Sequence, residues 1–480
     1  MRVGRVLFPA IRWHPVDGFT SAARSIDVAL ELGVGGFILF GAPATAVVDL
    51  TATLRARSSA PLLIGADLER GAGQQFPGAV SLPPAAAFGA LGDLGATRRA
   101  GQVTGNEARA LGVDWVYAPV ADLDVEPANP IVGSRAYGAD PAVVAAHVAA
   151  WIEGCRSAGA LACAKHFPGH GRTVTDSHLG LPVVDAARSV LEADLRPFRS
   201  AVAHGVDAVM TAHVAYPTLD PSGRPATLSP EIVTGLLRKQ LGFHGLVVTD
   251  ALVMAGVLGP DGDEAQAAVR ALAAGCDALL CPADPEGVAA ALASARSRSL
   301  SDARIAEAAR RVEDAARRIA SPRPGEWGRV QDRDWALDIA ARTLRVVRGA
   351  PAPAGRRVDL ITIDDDVGGP FPPGPRSWLP AALAASGIEV REAAGADPAV
   401  HPAVVALYAD IRGWKGRPHV STAARERVRD VLAVHPDATV VLFGHPRLAA
   451  EVPGEAVLAA WSGDRVMQEA AARWLADRAR

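Results

Sequence analysis

What limits the fold most is an alternation. Apolar runs at 3–11, 35–41, 61–68, 115–122, 161–167, 208–216, 245–252 and 276–282 are separated by Ala/Arg/Glu-rich segments such as 22–32, 96–111, 142–158, 189–204 and 263–274. Short apolar runs bounded by glycine, proline and polar residues read as buried strands, and the intervening segments carry the 3.6-residue period of amphipathic helices. Such a repeat predicts an α/β chain whose first part, residues 1–320, is a (β/α)8 TIM-type barrel. An open doubly wound sheet would carry a glycine-rich turn after its first strand, and Pro9-Ala-Ile-Arg-Trp-His14 is not one.

The chain has 480 residues, more than one ordinary domain. A helical segment at 300–319 leads to Ser321-Pro-Arg-Pro-Gly325, and residues 321–350 read as a linker with a connecting helix. Beyond it, strands at 358–363, 388–391, 404–408 and 439–443 alternate with helices at 381–386, 423–434 and 467–477. That pattern predicts a smaller three-layer α/β sandwich over 351–480.

A net charge of −3 with no long run of one sign gives no reason to expect nucleic acid or a membrane surface as partner. No stretch approaches a transmembrane span, and the N-terminal apolar run, broken at Pro9, reads as a first strand. The four cysteines form no CxxC pair and lie in apolar contexts, which points to reduced core thiols and a cytoplasmic setting. The expected assembly is a monomer or homodimer.

Barrel chemistry gathers at the C-terminal ends of the strands. Those ends carry Asp67 and Glu69, Asp122 and Asp124, Lys165 and His166, His213, and Asp250. The densest stretch is Ala164-Lys-His-Phe-Pro-Gly-His-Gly-Arg-Thr-Val-Thr-Asp-Ser-His178, a loop leaving a buried strand. Three readings compete for it. His166, His170, Asp176 and His178 are a possible metal-ligand set, though no HExxH or CxxC accompanies them. A phosphate loop fits poorly, because Pro-Gly-His-Gly lacks the glycine spacing and the Lys-Ser/Thr ending. The third reading is acid/base catalysis, with the carboxylate of Asp176 orienting the imidazole of His178 and Asp250 supplying a nucleophile.

Lys165-His-Phe-Pro-Gly-His-Gly171 with Asp176-Ser-His178 resembles the signature of glycoside hydrolase family 3, in its β-N-acetylhexosaminidase-like branch. The likeness continues through 35–41, 111–122, 129–138, 211–217 and 225–229. It implies a retaining exo-β-glycosidase acting on terminal N-acetylglucosamine by double displacement, with Asp250 as nucleophile, His178 as acid/base and Asp176 as its partner. It implies that Asp67, Arg135, Lys165 and His166 hold the sugar, and that no metal or organic cofactor is needed. Within the family a β-glucosidase or a β-N-acetylglucosaminide phosphorylase is the alternative. A non-catalytic sugar-binding protein is the alternative of another class. Gln75 stands where the branch usually carries a sugar-contacting arginine, which keeps a glucoside substrate open. Two further readings concern loops: Gly169 and Gly171 let the dyad swing, and Tyr408–Arg417 is either a surface loop or one that reaches the site through Trp414 or its basic residues.

Overall fold

The computed structural model describes residues 3–259, 262–296, 298–319, 325–368, 373–394 and 401–477. The linker expected at 321–325 lies almost wholly outside these residues. The chain divides into two compact units that interleave in sequence. The first runs to Val80 and continues through Leu94–Glu126 and Gly138–Arg329; the second takes Ser81–Asp93, Pro127–Tyr137 and Val330 onward.

In the first unit, β2 (Ala10–Arg12), β3 (Gly36–Phe40), β4 (Leu63–Ala66), β5 (Trp115–Val116), β6 (Leu161–Phe167), β7 (Ala208–Thr211) and β8 (Leu246–Thr249) pair in parallel in chain order. Just before β2, β1 (Leu7–Phe8) pairs in parallel with β9 (Leu279–Leu280). β1 and β2 are one run interrupted at Pro9, which has no N–H to give to a ladder. A parallel bridge between Val248 and Ala278 links β8 to the β9 segment. The ring therefore closes as the expected barrel. Expectation and structure differ at the start, where Val3–Val6 is a 3-10 turn around the buried Arg5, whose guanidinium donates to the carbonyls of Val34 and Pro61.

Phe8, Ile38, Trp115, Tyr117, Cys163, Met210 and Val248 belong to one buried cluster. The helix Asp302–Ile319 adds Val312, Ala315, Ala316 and Ile319 to it, a stripe at helical spacing. Gly65 is required there, because a Cβ would stand 2.5 Å from the Tyr117 hydroxyl.

Three aspartates at strand N-termini repeat one arrangement. Asp114 before β5 accepts the Ile64 N–H, Asp207 before β7 that of Ala162, and Asp277 before β9 that of Val247, each from the preceding strand. Arginines neutralise all three: Arg55 and Arg109 at Asp114, Arg156 at Asp207, and Arg238, Arg304 and Arg311 at Asp277.

The second unit is built on a sheet ordered β10 (Arg345–Arg348), β15 (Val457–Ala459), β14 (Thr439–Phe443), β13 (Ala403–Tyr408), β11 (Arg357–Asp364), β12 (Glu389–Glu392). All pairs are parallel except β10 with β15. The helix Thr422–Val434 shares a core with β11, β13 and β14, while Trp378–Ala385 packs on Arg465–Asp477. Among the described residues no helix is long and apolar enough to cross a membrane. All four cysteines are buried with free thiols.

Candidate active site

Asp67 follows β4, Asp122 lies beyond β5, Lys165 and His166 are in the last part of β6, His213 follows β7, and Asp250 directly follows β8. All are at the C-terminal ends of parallel strands, so the barrel aims them at one face. The Lys165–His166 peptide is cis.

The first half of the central loop is rigidly held. The buried Lys165 ammonium lies 2.7 Å from Asp67 Oδ1 and 2.7 Å from Glu69 Oε1. Two carboxylates on one ammonium fix its position and compensate its burial. His166 Nδ1 lies 2.7 Å from Asp122 Oδ2, and Asp122 Oδ1 accepts the backbone N–H groups of His166 and His170. A carboxylate can only accept, so His166 carries its proton on Nδ1 and turns Nε2 away from Asp122. Burial pushes the Asp122 carboxyl up, but the facing imidazole and these N–H donors outweigh it and hold it below the usual range.

The second half forms the dyad. Asp176 Oδ1 accepts the His178 backbone N–H at 2.9 Å and faces His178 Nδ1 at 2.6 Å. The proton on Nδ1 is thereby fixed, and Nε2 becomes the position that exchanges one. Asp250 accepts the Ala251 N–H at 2.7 Å. Burial alone would raise its carboxyl, yet the fields of His166, His213 and His178 and that N–H bring it down to about 2. His213 is fully buried between Thr227 Oγ1 at 2.8 Å and the Ala251 carbonyl at 3.1 Å, and burial lowers its pKa. The carbonyl requires a donor, so the ring carries a proton on Nε2.

The loop is pinned where sequence suggested a hinge. A Cβ at Gly171 would stand 1.8 Å from the Leu123 carbonyl, and one at Gly169 would stand 3.2 Å from the Asp194 Cβ, so these glycines serve close approach. His170 is wholly buried, between Thr173 Oγ1 at 2.9 Å and Ser177 Oγ at 3.0 Å, and burial lowers its pKa to about 4. Gly256, six residues beyond Asp250, donates its N–H to the Ser177 carbonyl at 3.0 Å and has no room for a Cβ. The dyad loop and the nucleophile loop are thus tied together. The metal reading loses its geometry: His166, His170 and Asp176 turn to Asp122, to hydroxyls and to His178 rather than to a common point. Among the described residues no group of three or more His, Cys, Asp or Glu could hold a metal ion.

Residues 18–315 match the model of the glycosyl hydrolase family 3 N-terminal domain. The chain belongs to glycosyl hydrolase family 3. A β-hexosaminidase of Stenotrophomonas maltophilia (strain K279a) is 39% identical over 301 residues, covering 60% of this chain and 88% of that protein. A β-N-acetylglucosaminidase/β-glucosidase of Cellulomonas fimi is 40% identical over 261 residues, covering 52% of this chain and 46% of that protein. Among solved structures, a family 3 β-N-acetylglucosaminidase from Paenibacillus sp. str. FPU-7 superposes with a TM-score of 0.86 at 29% identity, over 99% of this chain and 96% of that one. The protein is a glycoside hydrolase with a TIM-type barrel and a separate α/β unit.

For a family 3 hydrolase, two features of this chain stand out. The Gln75 amide oxygen accepts the Gly41 N–H at 3.1 Å and so braces the turn after β3. Arg135 belongs to the second unit. It ends the short turn Gly133–Arg135 of the second unit, with Nη1 3.3 Å from the Ile131 carbonyl. The basic residues expected to reach from 408–417 are engaged inside the second unit. Arg412 donates to the Asp366 carbonyl, Lys415 pairs with Asp366, and Arg417 with Asp365. Sequence reasoning gave no role to Asp122, Glu69 or His213, although their position at strand ends was the available signal.

Proposed function

We propose that the enzyme is a retaining exo-β-N-acetylglucosaminidase. The observation that carries this is the Asp176–His178 pair at 2.6 Å, on a loop tied to that of an aspartate held ionised down to about pH 2. A histidine held by a carboxylate can give and then take a proton near neutral pH, and a permanently ionised carboxylate suits attack on an anomeric carbon. In the first step Asp250 attacks that carbon while His178 Nε2 protonates the departing oxygen. In the second, His178 deprotonates water, which releases the sugar from Asp250. Asp67, Lys165 and His166 hold the sugar hydroxyls. The names of the relatives support N-acetylglucosamine as the sugar; Gln75 in place of arginine and the double name of the Cellulomonas fimi relative keep a β-glucoside as the second reading. The natural substrates would be fragments of cell wall or chitin, met in the cytoplasm.

Water rather than phosphate is the proposed acceptor. Phosphorolysis is the alternative that the assay must separate from hydrolysis. The deciding assay uses nitrophenyl β-N-acetylglucosaminide and β-glucoside, with and without phosphate, on wild type and Asp250→Asn. Turnover of neither sugar by wild type, or a variant as fast as wild type, would sink the proposal. A sugar 1-phosphate product would replace hydrolysis by phosphorolysis.

A further inference from the structure

The stretch after His178 carries an aliphatic surface that neither barrel packing nor the chemistry above uses. Residues 181–184 run extended along the end of β7, fixed by the Ala215 N–H on the Pro182 carbonyl and the Val184 N–H on the Ala215 carbonyl, both at 2.9 Å. Side chains alternate along such a segment. Pro182 and Val184 are buried, while Leu181 and Val183 face outward, 39% and 57% exposed. Outward positions of a one-sided extended segment are ordinarily polar, so aliphatic residues there stand out. The same loop exposes Val174 (64%) and Leu179 (57%), and the loop after Asp250 exposes Val253 (39%). All five lie on the loops that carry His178 and follow Asp250, and exposed apolar side chains at such a place mark a binding surface.

Their place says what binds. A general acid acts only within hydrogen-bond reach of the oxygen it protonates. The leaving group begins at that oxygen, so its first atoms fall beside His178 and onto what flanks it. Leu179 adjoins His178 in the turn closed by the Leu179 and Gly180 N–H groups on the Asp176 carbonyl. Val253 sits on the nucleophile loop that Gly256 ties to Ser177. We infer that Val174, Leu179, Leu181, Val183 and Val253 form the aglycone-binding surface, and that apolar surface on the leaving group adds to its binding. This rests on the reading of His178 as the acid.

The test is a homologous series of alkyl β-N-acetylglucosaminides and alkyl β-glucosides, from methyl to hexyl. Simple alkanols differ little as leaving groups, so chain length reports contact rather than chemistry. In wild type, kcat/KM should rise about twofold per methylene, the gain for a partly covered group. In Leu179→Ser with Leu181→Ser and Val183→Ser the slope should fall to near zero. A flat wild-type series, or an unchanged slope in the variant, overturns the inference and leaves the proposed function standing. A flat series together with a dimer that the triple variant dissociates, seen by sedimentation, also overturns it and makes the surface a contact between copies. No turnover of either sugar overturns both the proposed function and this inference.

Discussion

The two ends of the barrel hold buried carboxylates in opposite ways. At the N-terminal end Asp114, Asp207 and Asp277 are each met by one to three arginines and by a neighbouring strand's N–H. At the C-terminal end Asp122, Asp176 and Asp250 are met by histidines. Guanidinium never gives up its proton near neutrality, whereas imidazole does so readily. The first end is neutralised permanently and serves only the fold. At the second, these three aspartates face partners that can trade protons, which stability alone would not select. Burial raises the pKa of Asp114 and Asp207 despite their arginines, yet Asp122 and Asp250 end below the ordinary range. The difference lies in the convergence of several imidazoles and N–H donors on the second pair.

Substitutions at the two ends should separate accordingly. Asp250→Asn has the largest expected effect, a loss of roughly 10⁴-fold in kcat with the melting temperature nearly kept, as removal of a catalytic group gives. No acid limb of the wild-type pH profile should belong to Asp250, whose carboxyl stays ionised to about pH 2. An acid limb above pH 4 that vanished in a variant of another group would assign that limb away from Asp250. Asp176→Asn removes the partner that fixes the His178 tautomer, and roughly 10³-fold should be lost from kcat, with less change in KM. Retention of full kcat would mean that the dyad is structural.

Asp277→Asn makes the opposite claim for the other end. It leaves three arginines facing a neutral group, and should cost roughly 3 kcal/mol of stability while kcat per folded molecule is unchanged. A fall in kcat without loss of stability would break the division between the ends. The smallest effect concerns His170. Its folded pKa of about 4 lies below the ordinary value near 6.5, so the unfolded chain takes up the proton first. The stability this buried neutral ring contributes is present above pH 6.5 and is lost as pH falls toward 4. In His170→Gln, thermal midpoints should change less across that window than in wild type; identical pH slopes would contradict the assignment.

The barrel was legible because each stave is an apolar run and the titratable residues at its end cannot be explained by packing. The dyad was legible because Asp176 and His178 are two apart. Asp122 was harder to read. Backbone bonds to the next strand run on to Ala121, but the partners of the Asp122 side chain come from the fold-back of 166–170, forty-odd residues on. β10 escaped notice because it is short, mostly exposed and antiparallel, and so shows neither an apolar run nor alternation. The alanine-rich and proline-rich composition of 81–93 and 127–137 does not differ enough from the surrounding chain to show that these segments pack elsewhere.

Those two segments bear on how such a protein can be divided. The excursion at 127–137 leaves and re-enters the first unit across the bond from the Asp124 N–H to the Gly138 carbonyl. Within the second unit Ile131, Val132 and Ala136 make a small buried cluster, and Gly133 lies tight against Ile411. A gene cut at the apparent linker would leave both products incomplete: one with apolar loops stripped of their cover, the other missing part of its own core. The second unit is therefore a splice rather than a cassette. Swapping it between relatives would require exchanging three stretches of coding sequence at once.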